Sequence, residues 1–252
     1  MRLSVLMTVY NEADFIDYAI RSCIEHVDDL IIVEGAYQET IKLGKSERSS
    51  DGTLQIIESY KNHPKVKIIY ANEYSDKDQR NVGLAEIKKI NPDGWLLIVD
   101  GDECWQPIAL QTVKKDIIVF EKSGIKACYY ISMTFVNDFN HYTYQKFPRL
   151  FKITPECLFT DDNFMYWKEA TWSAPYICSS DKKYFHYSFL KSKERFETKK
   201  QWWETRFGRE FDYGWRINDS GLIEDKNHKI FEFTGKHPDV IKDHPLWKEN
   251  KK

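Results

Sequence analysis

A fourfold alternation in the first hundred residues constrains this chain more than any other feature. Leu3–Tyr10, Asp29–Glu34, Val66–Tyr70 and Trp95–Val99 are each apolar almost throughout. A strand with one wet face alternates apolar and polar residues, so an unbroken apolar run of this length reads as a strand buried on both faces. Between these runs the spacing becomes helical. Phe15, Ile16, Ala19, Ile20, Cys23 and Ile24 share a stripe between Phe15 and His26. Asp51-Gly52-Thr53 opens a second helix carrying Leu54, Ile56, Ile57 and Tyr60, and Asp78–Ile90 reads as a third. Residues 35–50 are polar and read as a loop. Strands and helices in this order predict an α/β fold with a parallel sheet covered on both sides. Sheets of that kind bind ligands beyond the carboxyl ends of their strands. The polar residues sit at those ends: Asn11 and Glu12 after the first strand, Glu34 after the second, Asp100 and Asp102 after the fourth.

The second half changes character. Residues 127–137 and 142–153 read as strands, 154–182 as irregular, and 183–189 as a short strand carrying His186. Residues 192–211 read as a charged helix, and the tail from Trp215 as a wrap over the surface. The expected organisation is a nucleotide-binding half (1–105), an acceptor-side α+β half of the same domain (106–214) and a C-terminal helical extension (215–252). A chain of 252 residues suits that plan. The net charge of −2 supplies no bulk attraction to nucleic acid. The five cysteines (23, 104, 128, 157 and 178) are odd in number, scattered and without a C-x-x-C pair. They argue against a disulfide framework or zinc site and for a reducing compartment. No run approaches a membrane span, and Leu3–Tyr10 passes straight into Asn11-Glu12 without a cleavage site, so the expected location is cytoplasmic.

Three constellations carry chemistry. Asp100-Gly101-Asp102-Glu103 closes the fourth strand with carboxylates one residue apart, a pattern that holds a hard divalent cation such as Mg2+ or Mn2+. Such an ion bridges a diphosphate and stabilises charge on a departing nucleotide. The bland reading is a loop of solvated acids. Glu34 is placed to accept hydrogen bonds from a nucleoside, with Asp51 capping the helix behind it; solvation and turn chemistry are the competing readings. Lys77-Asp78-Gln79-Arg80-Asn81 offers Arg80 to a phosphate or a sugar, against the alternative of an exposed helical arginine.

Thr8-Val-Tyr-Asn-Glu12, Ser50-Asp-Gly-Thr53, Gln79-Arg-Asn-Val-Gly83 and Val99-Asp-Gly-Asp-Glu103 occur in the order and spacing of glycosyltransferase family 2, which the first 105 residues resemble well and the rest loosely. The resemblance implies a GT-A fold: a Rossmann-like, mixed but mainly parallel sheet flanked by helices. It implies a nucleotide-diphosphate sugar donor, a divalent metal and inversion at the anomeric carbon. By this likeness Asp102 is the metal ligand, Asp100 a nucleotide contact that also reaches the metal, and Tyr10 and Glu12 part of the nucleoside pocket. Glu34 stands where the family has its nucleoside-binding acid. One departure is plain: the family runs directly from that acid into its Ser-x-Asp-Gly-Thr segment, whereas here residues 36–49 intervene. This insert is expected to cover the donor or touch the acceptor.

The resemblance places the acceptor and the catalytic base in the second half. Phe147-Pro-Arg-Leu-Phe151 resembles a family strand, and Thr160-Asp-Asp-Asn-Phe164 the segment that supplies the base. Asp162 is preferred as base, with Asp161 and Glu169 as rivals. His186, followed by Arg195 and Lys199, resembles the family's late histidine and is read as a third metal ligand or diphosphate contact, against a satisfied core histidine. The basic helix from Lys191 suits a membrane surface or a phosphorylated acceptor, against the plainer reading of an aromatic stripe packed on the core. The acceptor stays open among a glycan, a glycolipid, a protein and a modified nucleobase. A nucleotidyltransferase of related fold is a competing reading, weakened by the lack of a Gly-rich basic loop after the first strand. A nucleotide-sugar-binding protein without turnover is another.

Overall fold

The structure is a computed structural model that describes residues 1–71, 75–161, 163–168, 170–190, 193–208, 215–217, 223–225 and 229–249. The four apolar runs become β1 (Leu3–Val9), β2 (Asp29–Glu34), β3 (Val66–Tyr70) and β4 (Trp95–Ile98). They lie in the order β3-β2-β1-β4 and pair in parallel, with Val9 opposite Glu34 and Leu6 opposite Ile98. Strands β1, β2 and β4 are buried at every position, as their unbroken apolar sequences require.

The sheet continues through β5 (Glu103–Cys104), β6 (Ala127–Val136), β7 (His141–Lys152) and β10 (Ile177–Phe189), in the order β4-β7-β6-β10-β5. Antiparallel pairing of β7 with both β4 and β6 makes the sheet mixed. A hairpin of β8 (Leu158–Phe159) and β9 (Met165–Tyr166) lies within the stretch expected to be irregular. Strand β10 begins at Ile177 rather than at 183, and a register shift between Ser179 and Lys183 interrupts its pairing with β6.

Helices cover both faces. Val5, Met7 and Val9 of β1 pack with α1 (Ile16–Cys23), α3 (Thr53–Ser59) and α5 (Pro107–Ser123), while Leu6 turns to the other face and meets Leu84 and Ile87 of α4 (Asp76–Ile90). Period-two alternation within one strand thus serves two cores. Helix α4 lies so close to β1 that a Cβ at Gly83 would stand 2.2 Å from Leu6 Cδ1. Helix α5 lies in the stretch 106–126, to which hydrophobic periodicity assigns no element, although Pro107 at its first turn and Gly124 (φ 72°) after its last are ordinary start and stop signals. Two further helices flank the carboxyl edge of the sheet: α2 (Gln38–Lys42), inside the predicted loop, and α6 (Lys193–Phe207).

The described part of the tail packs onto the body. Short strands β11 (Trp215–Ile217) and β12 (Ile223–Asp225) pair with each other, and β13 (Phe231–Glu232) adds to β7. Phe233, Ile241 and Trp247, the last in α7 (Pro245–Glu249), join a third cluster with Phe15, Phe135, Phe139 and Tyr187.

Candidate active site

The chain leaves β1 for β2 and β3 on one side, and β4 lies on the other. A crevice opens at that switch point, beyond the carboxyl ends of β1 and β4. It forms a cleft of about 460 Å³ lined by Thr8 to Glu12 (except Val9), Asp100 to Asp102, Asp76 and Arg80 of α4, and His186 of β10. Tyr37, Thr40, Leu43 and Lys45 of the insert line it too, as do Arg195, Thr198, Lys199 and Trp202 of α6. The insert and α6 meet where the rings of Tyr37 and Trp202 stand 5.8 Å apart.

Local sequence brings the β1 end and the Ser50–Thr53 segment together. Asn11 adopts a left-handed conformation (φ 53°), which an asparagine tolerates, and Gly52 (φ 105°) turns the chain into α3. Asn11 Oδ1 then accepts from Ser50 N (2.9 Å), and Glu12 N donates to Thr53 Oγ1 (2.7 Å). Burial raises the cost of charge on Asp51, but hydrogen bonds from Thr53 and Ala13 N, with Arg195 nearby, outweigh it and hold the carboxyl below its usual range. Arg195 also pairs with Asp14 (2.5 Å), so α6 is tied by charge to the β1 side of the cleft.

An alternating chain of charges runs beneath the cleft. Thr8 Oγ1 (3.3 Å) and Arg80 Nε (3.1 Å) both donate to Asp76 Oδ1. Arg80 Nη2 reaches Asp100 Oδ1 (3.4 Å), and Arg149 Nη2 donates to Asp100 Oδ2 (2.8 Å) and Glu103 Oε1 (2.5 Å). Burial works against charge on Asp100, yet Arg149 and Arg80 outweigh it and hold this carboxyl below its usual range. At Glu103 burial dominates and pushes the carboxyl up to about 7, even beside Arg149.

Asp102 Oδ1 lies 3.2 Å from His186 Nε2. On the other side of the ring, Nδ1 is in reach of Ser132 Oγ (3.4 Å) and Thr134 Oγ1 (3.3 Å). The 3.2 Å separation is that of a direct Nε2–carboxylate contact; if Nδ1–H donates to the hydroxyls, Nε2 has a lone pair free, and a cation between it and Asp102 would replace the direct contact. Neighbouring ligands of an octahedral ion, at roughly 2.1 Å bonds, stand about 3 Å apart, so this pair fits one divalent cation. Among the described residues no three His, Cys, Asp or Glu side chains form a metal-binding group. Of the groups that could hold a cation, the cleft thus brings together the pair Asp102 and His186.

Of the three expected metal ligands, the structure brings Asp102 and His186 together and ties Asp100 to two arginines. Tyr10, Glu12, Asp51 and Arg80 line the cleft, with the Tyr10 hydroxyl donating to Ser46 O (2.7 Å). Arg80 is 5% exposed and not the surface arginine of the competing reading. Glu34 is placed elsewhere than expected: it is fully buried behind the insert, with Oε1 accepting from Ser49 N (2.8 Å) and Oε2 3.7 Å from Arg48 Nε. Asp161 lies in the exposed turn of the β8–β9 hairpin and does not line the cleft. Asp162 and Glu169 lie outside the described residues. Sequence reasoning missed Arg149, Asp76, Tyr37 and Trp202. Arg149 carried a signal, a charge inside the apolar run Phe147–Phe151, and Asp76 follows Ser75, the cap of α4.

A mixed α/β sheet with helices on both faces and an acidic cleft at its switch point places the chain in the GT-A class of folds. More particularly, the model of glycosyl transferase family 2 matches residues 4–174, and the chain belongs to that family. No curated protein gives a significant sequence match. Among solved structures, S. aureus TarS 1–349 in complex with UDP is similar at 22% identity over 54% of this chain and 36% of that one, with a TM-score of 0.39. A mannosyltransferase, PcManGT from Pyrobaculum calidifontis in complex with GDP-Man and Mn2+, is 20% identical over 50% of this chain and 34% of that one, with a TM-score of 0.36. The chain spans about a third of the length of these two solved chains. Among the described residues no helix is long and apolar enough to cross a membrane.

Proposed function

We propose that this protein is a metal-dependent glycosyltransferase that takes a nucleotide-diphosphate sugar and moves its sugar, with inversion, to an acceptor hydroxyl. The observation that carries this reading is the convergence of Asp100, Asp102, His186 and Arg80 on one cleft at the switch point of a family 2 fold. Asp102 and His186 would hold a Mg2+ or Mn2+ ion, which supplies charge neutralisation at a diphosphate leaving group. Ser132 and Thr134 fix the His186 ring so that Nε2 faces the cleft. Arg80 and Arg149 keep Asp100 ionised and in place, so its carboxylate is set for the donor without rearrangement. The basic side chains of α6, Arg195 and Lys199, also line the cleft, where a diphosphate would meet them.

The attacking hydroxyl needs a carboxylate within hydrogen-bond reach. We assign this role to Asp162, with Asp161 and Glu169 as rivals. Support comes from the β8–β9 hairpin next to Asp162, which is fastened to α4 by Asn81 Nδ2 to Phe159 O (2.9 Å) and Phe159 N to Asn81 Oδ1 (2.8 Å), directly beside Arg80. The test is product analysis. Wild-type protein is incubated with UDP-, GDP- and dTDP-sugars and Mn2+, and the released sugar is followed by NMR. One donor should be hydrolysed slowly to the inverted anomer, with Asp162→Asn and Asp102→Asn each at least 100-fold slower. Cleavage to sugar 1-phosphate instead, with a nucleoside triphosphate formed when pyrophosphate is added, would make the protein a nucleotidyltransferase.

A further inference from the structure

We propose that the nucleoside of the donor is recognised by the 36–49 insert, and that Glu34 is a positioning residue that holds the insert in place. The inference rests on the reading of the cleft as a nucleotide-sugar site. The sheet order sets the direction of the ligand. Asp102 and His186 belong to the β4 and β10 side, and β2 lies on the far side of β1. A diphosphate near that pair therefore directs its nucleoside across the end of β1 toward β2. The acid that ends β2 is not waiting there, because Glu34 is fully buried. The insert is there instead, lining the cleft with Tyr37, Thr40, Leu43 and Lys45. A flat aromatic ring, an apolar side chain and a few polar groups form a surface suited to a nucleobase.

The base of the insert is built to keep this surface still. Glu34 accepts from Ser49 N, and Arg48 Nη1 donates to Ala71 O (2.6 Å) and Glu34 O (3.3 Å). A Cβ at Gly35 would stand 2.8 Å from Ala71 O and 3.0 Å from Arg48 Nη1, so a glycine here lets the arginine lie across the strand ends. Ala36 N to Glu47 O (3.1 Å) closes the loop on itself, and Asn11 N to Ser49 Oγ (2.8 Å) fastens it to β1. A carboxylate sealed into this clamp acts on the ligand only through the insert.

The test is isothermal titration of the full chain with UDP, GDP, CDP, dTDP and inorganic pyrophosphate in the presence of Mn2+. Wild type should prefer one nucleoside diphosphate. Tyr37→Ala and Leu43→Ala should weaken that ligand tenfold or more and narrow the preference among bases, leaving pyrophosphate within twofold. Glu34→Gln should act in the same sense; if it fails to fold, the two insert variants decide the matter. The inference is overturned if wild type discriminates among bases and both insert variants keep that discrimination. It is also overturned if Glu34→Gln alone changes the base preference, which would make Glu34 a direct contact. Failure of wild type to bind any nucleoside diphosphate removes the nucleotide-sugar reading, and this inference with it.

Discussion

Arg149 is the residue whose removal best probes how the acidic cleft is held together. It is 3% exposed and shares Nη2 between Asp100 and Glu103. Hydrogen bonds to charged groups contribute roughly 1.5–3 kcal/mol each, and breaking one end of a buried ion pair costs about 3–5 kcal/mol. Two features pull Arg149→Met to the low end of that range. Asp100 keeps Arg80 as a partner, and Arg149 Nε and Nη1 are buried without hydrogen-bond partners, so their desolvation penalty leaves with the guanidinium. The expected loss is about 3 kcal/mol at pH 7.5, a large share of a typical domain's stability. Urea denaturation followed by circular dichroism reads it as a lower midpoint at unchanged slope. In a Glu103→Gln background the same substitution should cost about 1 kcal/mol less, because a Glu103 carboxyl raised to about 7 answers the loss of Arg149 by taking up a proton at pH 7.5. A loss under about 1 kcal/mol for Arg149→Met, or additivity of the two substitutions, would refute the view that Arg149 neutralises this cluster.

The D-G-D glycine is tested by Gly101→Ala. Its Cβ would stand 3.0 Å from Glu12 Cγ and 3.1 Å from Glu12 Cβ, so Glu12 must shift within the cleft lining, and donor affinity should fall by up to about tenfold, or about 1.4 kcal/mol, by titration. His237 is buried by the tail cluster; its Nδ1 pairs with the Tyr187 hydroxyl (2.9 Å) and its Nε2 with Phe139 O (2.8 Å), and burial lowers its pKa from 6.5 to about 4. The unfolded chain therefore takes up this proton first as pH falls below 6.5, and stability is lost down to pH 4, by about 3 kcal/mol in all. Because Glu103, raised to about 7, has the opposite slope over much of that window, the quantity to measure is the stability difference between wild type and His237→Gln as a function of pH. A pH-independent difference would contradict the assignment.

How much of this was legible in the sequence follows from physical range. The β1–β4 strands were readable because burial on both faces leaves unbroken apolar runs, and the acids at their ends stood out against them. Helix α5 was not, because only Leu110, Val113 and Ile117 of its residues are buried while Ile108, Ile118 and Val119 are exposed, which blurs the stripe. The strand β10 start was hidden by Ser179–Lys183, a polar stretch across a register shift. In the cleft, Asp100, Asp102, Arg80 and Tyr10 follow from local motifs. The pairing of Asp102 with His186, 84 positions later, depends on β10 entering the sheet beside β5. Glu34 shows the limit most clearly. A motif places an acid at the end of β2, but only the path of the inserted segment determines whether that acid faces ligand or Ser49.

The central claim, that Asp102 and His186 hold a cation through which a nucleotide-diphosphate sugar binds this cleft, is tested most directly by donor titration with and without Mn2+. Calorimetry with the hydrolysed donor should show binding to wild type that weakens at least 30-fold when Mn2+ is replaced by EDTA. Asp102→Asn and His186→Ala should bind at the weak level whether or not Mn2+ is present. Equal donor affinity with Mn2+ and with EDTA in wild type, or full Mn2+ dependence surviving in both variants, would contradict the account.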